Sequence, residues 1–295
     1  MIRVGICSWT EKTLIQSREF YPPSAKTAEA RLRFYAQHFD VVEVDSSYYA
    51  IPAMQTAGLW AERTPQAFTF HIKAFAGLTG HGVDPRSLPA DLQDLLTPEQ
   101  REDRHVYLRD PAQIAAVAER FRHNLQPLAA TGKLGVLVYQ FPPWFQYSHR
   151  NLDHIVTCRD LMAGLPLAVE FRHGSWLVPE RREGVLSFLR DNGLHHVTAD
   201  EPQFGDLRTV PCVPGSTGDV AYFRFHGRNR ENWFRKGIET ALRYAYEYSD
   251  EELQGFVPSI NGVAEKTRVT YVMFNNCYMA SAIRNALRMK ELVQK

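Results

Sequence analysis

Eight short apolar runs, each closing on polar residues and most followed by a helical pattern, limit this chain to very few folds. They fall at 2–7, 41–45, 68–73, 134–141, 167–169, 195–200, 220–226 and 269–274. Strands buried on both faces read as near-continuous apolar stretches, and strands alternating with helices imply a parallel sheet. Eight such units are what a (β/α)8 TIM barrel requires. A doubly wound open sheet is the competing α/β arrangement, but no glycine fingerprint follows the first run. The chain is therefore read as one α/β domain, 1–295, without linker or internal repeat.

Helical patterns are expected over 25–38, 54–63, 110–130, 151–163, 179–192 and 278–293. Two carry explicit start signals. Asp110-Pro111 places a cap before a first-turn proline, and Ser249-Asp-Glu-Glu252 matches a capping box. After the third strand a long excursion, 74–109, is rich in Gly, Pro, His and charge, a length usually given to lids or binding loops.

Net charge is +1, so no global field recruits nucleic acid or an anionic membrane. No run approaches a membrane span. Cys7, Cys158, Cys212 and Cys277 have no zinc-ligand or CxxC spacing, so reduced thiols and a cytoplasmic location are expected.

The polar residues gather at the strand ends. Glu43 and Asp45 end the second strand, His71 and Lys73 the third, Gln140 the fourth, Glu170 and Arg172 the fifth. Asp200 ends the sixth, Arg224 and His226 the seventh, Asn275 the eighth. In a barrel this end carries the chemistry, and residues two apart share a face.

Three chemistries fit. Glu43 and Glu170, from strands across the barrel, suit a general acid and a base or nucleophile on a substrate held between them, with Asp200 and His226 as further catalytic candidates. Lys73, Arg172, Arg224 and Arg228 suit a bound phosphate or carboxylate. Glu43, Asp45, Glu170, Asp200 and His226 are also divalent-metal ligand types, though the sequence requires no cofactor and no metal ligand is assigned. Trp9, Tyr48, Tyr49, Trp144, Phe145 and Trp176 could stack on a sugar or base, or simply pack. Packing is the better reading for Cys7 and Cys277.

Longer stretches carry a resemblance: Gly5-Ile-Cys-Ser-Trp9, Val42-Glu-Val-Asp-Ser-Ser-Tyr-Tyr49, Leu134-Gly-x-Leu-x-x-Gln-Phe-Pro-Pro143, Val169-Glu-Phe-Arg-His-x-Ser-Trp176, Phe225-His-Gly-Arg228 and Phe274-Asn-Asn276. They span nearly the whole chain, which resembles the DUF72 (YecE-like) family. The resemblance implies a TIM barrel and assigns no function. Asp45 stands where the family pattern usually has Asn, and Thr79-Gly-His81 replaces a contiguous Thr-His.

The expected function is a hydrolase-like enzyme cleaving a bond in a small anionic or sugar-like ligand, phosphorylated or glycosidic. Substrate-binding candidates are Trp9, Asp45, Tyr48, Lys73, Gln140, Arg172, Trp176, Arg224 and Asn275. The alternatives are a nucleotide or nucleic-acid binding module without catalysis, and a polar plug that binds nothing.

Overall fold

In the computed structural model, which describes residues 1–294, eight parallel strands close into one barrel in sequence order. They are β1 (Ile2–Cys7), β2 (Val41–Val44), β3 (Thr69–Lys73), β4 (Leu134–Gln140), β5 (Leu167–Glu170), β6 (His195–Asp200), β7 (Val220–Phe225) and β8 (Val269–Phe274). Pairing of β1 with β8, from Ile2 opposite Thr270 to Ile6 opposite Phe274, closes the ring. Each strand matches its expected run to within a few residues, because its apolar residues are buried on both faces.

The helices are α1 (Lys12–Ser17), α2 (Ala28–Tyr35), α3 (Met54–Glu62), α4 (Ala90–Gln93), α5 (Pro98–Glu102), α6 (Pro111–Asn124), α7 (Gln126–Ala130), α8 (His149–Leu161), α9 (Arg182–Asp191), α10 (Thr240–Arg243), α11 (Asp250–Ala264) and α12 (Ser281–Val293). Both start signals are real: Asp110 accepts from the Ala112 N–H, and Ser249 and Glu252 form a reciprocal capping box. The helix expected over 110–130 is instead two, broken at Leu125. Pro127 has no N–H to continue the ladder but is tolerated in the first turn of α7. The excursion at 74–109 carries α4 and α5 and buries Leu88, Leu92, Leu96, Val106 and Leu108. No helix lies between β6 and β7 among the described residues.

Two apolar layers result. The larger lies between strands and helices; the smaller fills the lower barrel with Val41, Val136, Val138, Ala168, Val197, Val220, Tyr222, Tyr271 and Met273. Gly5 lets β1 sit against β2: a Cβ there would meet the Val41 carbonyl oxygen at 2.4 Å. His71 belongs to this lower layer, its Nδ1 accepting from the Val136 N–H at 3.0 Å. Above it the interior positions turn polar. No helix among the described residues is long and apolar enough to cross a membrane.

Candidate active site

The upper barrel is organised by Arg224, which β7 places at the axis with 0% exposure. Its Nη2 donates to Glu43 Oε1 at 2.6 Å; its Nη1 donates to Glu170 Oε2 at 2.5 Å and to Gln140 Oε1 at 3.0 Å. Tyr222, two residues earlier on the same face, donates its hydroxyl to Glu43 Oε2 at 2.8 Å. The expected substrate position between Glu43 and Glu170 is thus filled by a guanidinium. Neither carboxylate is exposed to solvent.

The two carboxylates are nonetheless driven apart. Burial pushes the Glu43 carboxyl up, with Arg224 pulling against it. Burial also penalises Glu170, but Arg224, His226 and Arg172 outweigh it and hold Glu170 well below the usual carboxylate range. His226 Nε2 lies 3.0 Å from Glu170 Oε1, and its Nδ1 2.9 Å from Asn275 Nδ2. An amide nitrogen can only donate, so Nδ1 accepts and Nε2–H donates to Glu170. Burial brings His226 down to about 3 against the pull of Glu170, which keeps the ring neutral at physiological pH.

Arg172 joins the network from just beyond β5, its Nη1 3.2 Å from Glu170 Oε1 and its Nη2 2.8 Å from Glu201 Oε2. Glu201, outside the expected set, faces this network, whereas Asp200, expected in it, does not. Asp200 points out of the barrel, where Arg228 grips it through Nε and Nη2 and the Tyr248 hydroxyl donates to it at 2.6 Å. It anchors the connection between β7 and α11, as does Arg228, which was a candidate ligand-binding cation. Counting by twos from Val197, an interior residue, leads to Glu201 and would have found it.

Burial pushes the Glu201 carboxyl up to about 7, against Arg172, whose contact is not aligned as a hydrogen bond. The folded state therefore keeps a proton that the unfolded chain releases above its ordinary value near ~4.3. Stability falls as pH rises through that window and levels off above it. His226 works oppositely, withdrawing stability as pH falls below the usual histidine range. Glu201→Gln is expected to remove the Glu201 contribution alone. Its urea-unfolding free energy should gain on wild type between pH 4.5 and 7.5, by on the order of 3 kcal/mol for a fully buried group. A constant difference between the two curves would contradict the raised Glu201.

The aromatic candidates divide. Trp9 packs edge-on against Trp60 and Phe70, and Trp176 stacks on Phe171 and Phe145 while donating to the Phe145 carbonyl, so both belong to the core. Tyr48 supports Lys73, whose Nζ lies 4.6 Å from its ring centroid. Tyr49 is exposed at the mouth.

Above the network a cleft of about 310 Å³ opens beside β1 and β2, lined by Ser8, Thr10, Glu11, Asp45, Tyr49, Lys73, Tyr244 and Asn275, with Cys7 and Cys277 at its wall. Lys73 Nζ pairs with Asp45 Oδ1 at 2.8 Å, and Asp45 keeps 26% of its side chain exposed. Burial works against the Lys73 charge, but Asp45 more than restores it, so the ammonium persists. Burial likewise works against the Asp45 carboxylate, and Lys73 with Arg224 hold its pKa below the usual value. The β7–α11 connection covers the rest of the mouth. Its Trp233 and Tyr244 rings lie over His226, centroids 6.4 and 6.2 Å away. Neither residue was legible as part of the site. The donors weighed for a divalent metal do not converge: no cluster of three or more His, Cys, Asp or Glu among the described residues is placed to hold one.

The chain can now be set beside known proteins. A family model described as "Protein of unknown function DUF72" matches residues 3–295. The UPF0759 protein YunF of Bacillus subtilis (strain 168) is 32% identical over 298 residues, covering 99% of this chain and 95% of that protein. A solved DUF72 family protein from Thermotoga maritima MSB8 is 30% identical with a TM-score of 0.78, covering all of both chains. Another, from Enterococcus faecalis V583, is 26% identical with a TM-score of 0.80, covering 100% of this chain and 96% of that one. With closed barrel, strand-end motifs and full-length similarity in agreement, this chain belongs to the DUF72 family of proteins of unknown function.

Proposed function

We propose that the barrel mouth is an acid–base site cleaving a bond in a small, hydroxyl-rich substrate, and that Lys73 and Asp45 are the charged groups that touch it. The observation carrying this reading is that the Lys73–Asp45 pair lines the open cleft, while Glu43, Glu170 and Arg224 are sealed beneath it. Lys73, kept as an ammonium, serves as the cation for negative charge developing on the substrate rather than as a base or nucleophile. Asp45, ionised and partly exposed, moves the proton.

Beneath them Glu43, Glu170 and Arg224 set the field, and His226 fixes the Asn275 amide that faces the cleft. Hydroxyls from Ser8 and Thr10 and the rings of Tyr49 and Tyr244 suit a sugar-like ligand, polar at its edges and apolar on its faces. Because Asp45 stands where the pattern this chain resembles usually has Asn, proton transfer by a carboxylate there is proposed for this chain and not for the family. Four free thiols support a reducing compartment, the cytoplasm.

The test is a turnover screen of free sugars, sugar phosphates and glycosides, run on wild type and Asp45→Asn. At least one compound is expected to be converted by wild type. Its rate should drop roughly 10²–10⁴-fold in the variant, the usual weight of a general acid or base. Full activity in Asp45→Asn, or binding without conversion across the panel, would overturn the reading.

A further inference from the structure

A second cleft, of about 200 Å³, lies on the other side of Tyr244, which lines both. Its wall consists of Gln140, Pro143, Arg172, Trp233, Phe234, Arg243 and Tyr244. The polar groups among these are two guanidiniums, an amide, a phenol and an indole N–H; among the described residues no carboxylate lines it.

Its cations are also incompletely used. Arg172 is 8% exposed and spends Nη1 on Glu170 and Nη2 on Glu201, neither of which lines this cleft, while its buried Nε has no hydrogen-bond partner among the described residues. Arg243 donates from Nη2 to the Arg235 carbonyl at 3.3 Å, and its Nε is likewise buried without a partner among the described residues. Gln140 gives its Oε1 to Arg224, which turns the amide NH2 the other way. A buried N–H without an acceptor costs free energy that a bound acceptor recovers.

We propose that this second cleft is an oxyanion subsite, in which Arg172 and Arg243 hold a phosphate or carboxylate group of the ligand. The inference deepens the acid–base reading and rests on it for what happens at the other end of the ligand: the hydroxylated part lies by Lys73 and Asp45, the anionic group beyond Tyr244. It also redistributes the expected cationic wall. Lys73 is held by Asp45, Arg224 by Glu43 and Glu170, and Arg228 by Asp200; Arg172 and Arg224 each keep a buried Nε without a hydrogen-bond partner among the described residues, and of the two only Arg172 lines this cleft. Arg243 supplies the cleft's second open donor from the connection that covers the mouth. The substrate class is then an anionic sugar derivative, a sugar phosphate or sugar acid.

The Arg172 guanidinium lies 5.2 Å from the Trp233 ring centroid, so an anion arriving there should change tryptophan emission. The experiment titrates inorganic phosphate, and separately acetate, at constant ionic strength against wild type, Arg243→Gln, Trp233→Phe and Asp45→Asn. Wild type is expected to give a saturable emission change with at least one of the two anions, and the tighter one names the group. Loss of one charged donor should weaken binding about tenfold in Arg243→Gln. The optical response should vanish in Trp233→Phe, and Asp45→Asn should bind no more weakly than wild type.

Absence of saturable binding, unchanged affinity in Arg243→Gln, or an unchanged response in Trp233→Phe would each overturn the subsite. Anion binding requires no turnover, so the two proposals fail separately. Binding without any conversion in the sugar screen sinks only the acid–base reading. Conversion without anion binding sinks only this subsite.

Discussion

Arg224→Met is expected to cost about 3–5 kcal/mol of stability at neutral pH, the penalty for removing one partner of a buried ion pair. Arg224 is the cation shared by Glu43 and Glu170, and none of the three is exposed to water that could take over its role. Methionine fills much of the volume, so charge rather than packing dominates the loss. The two carboxylates differ in what remains to them. Glu170 keeps Arg172 and His226, whereas Glu43 keeps only the Tyr222 hydroxyl at hydrogen-bond distance.

Glu43 should therefore be the main source of the loss. Adding Glu43→Gln to Arg224→Met should recover part of it, because the amide needs no counter-ion. Acidification should help as well: in the single variant Glu43 ionises only at unusually high pH when folded, so stability falls as pH rises and returns as pH is lowered. Urea unfolding of the single and double variants at two pH values measures both effects. A single variant within about 1 kcal/mol of wild type would mean that the charges are not buried as described, since exposed pairs are worth that little.

A buried network of this kind does not hold a barrel together better than Val, Ile or Leu at the same positions would. Its place in the chain is better understood from what lies above it. Tyr222 and the apolar interior end one layer below Arg224, and Lys73, Asp45 and Asn275 begin at the cleft. The ions are the floor of an open polar mouth rather than the centre of the core, which weighs against a plug that binds nothing.

Much of this was legible in the chain. The eight strands were, because each is an apolar run bounded by polar residues. So were the interior pairs Glu43 and Asp45, Glu170 and Arg172, and Arg224 and His226, because a spacing of two fixes a shared face. At β6 all six residues are buried, so no alternation in the sequence marks Val197 as the inward position from which a count by twos reaches Glu201 rather than Asp200. Trp9 and Trp176 follow their strands just as cleft-lining residues do, and nothing local tells a ring stacked in the core from one facing a ligand. Trp233 and Tyr244 lie outside any regular element and Arg243 ends the single-turn α10, so no period states which side chains fold back over the mouth. Pairing is the deepest limit. The sequence places four candidate cations and four candidate carboxylates near strand ends, but only three dimensions show that Arg224 fills the space between Glu43 and Glu170.

Lys73→Met should lower turnover of a substrate found by the sugar screen by roughly 10²–10³-fold, the weight of one well-placed charge donor at a developing anion. It should also change the pH–rate profile. In wild type Asp45 is held below the ordinary carboxylate range by Lys73 at 2.8 Å, with Arg224 4.0 Å away as the second cation. Without Lys73 the burial that opposes ionisation of Asp45 is less fully offset. Its pKa then rises, and the acid limb of the profile moves to higher pH even with Arg224 still nearby. Asp45→Asn should instead remove the acid limb, because the titrating group is gone. Measuring kcat across pH 3–8 for the three proteins separates the roles. If Lys73→Met lost activity with an unmoved acid limb, Lys73 would matter but Asp45 would not be the proton carrier. If both variants kept the wild-type profile and rate, neither residue would touch the reaction, and the chemistry would have to be sought beyond Tyr244.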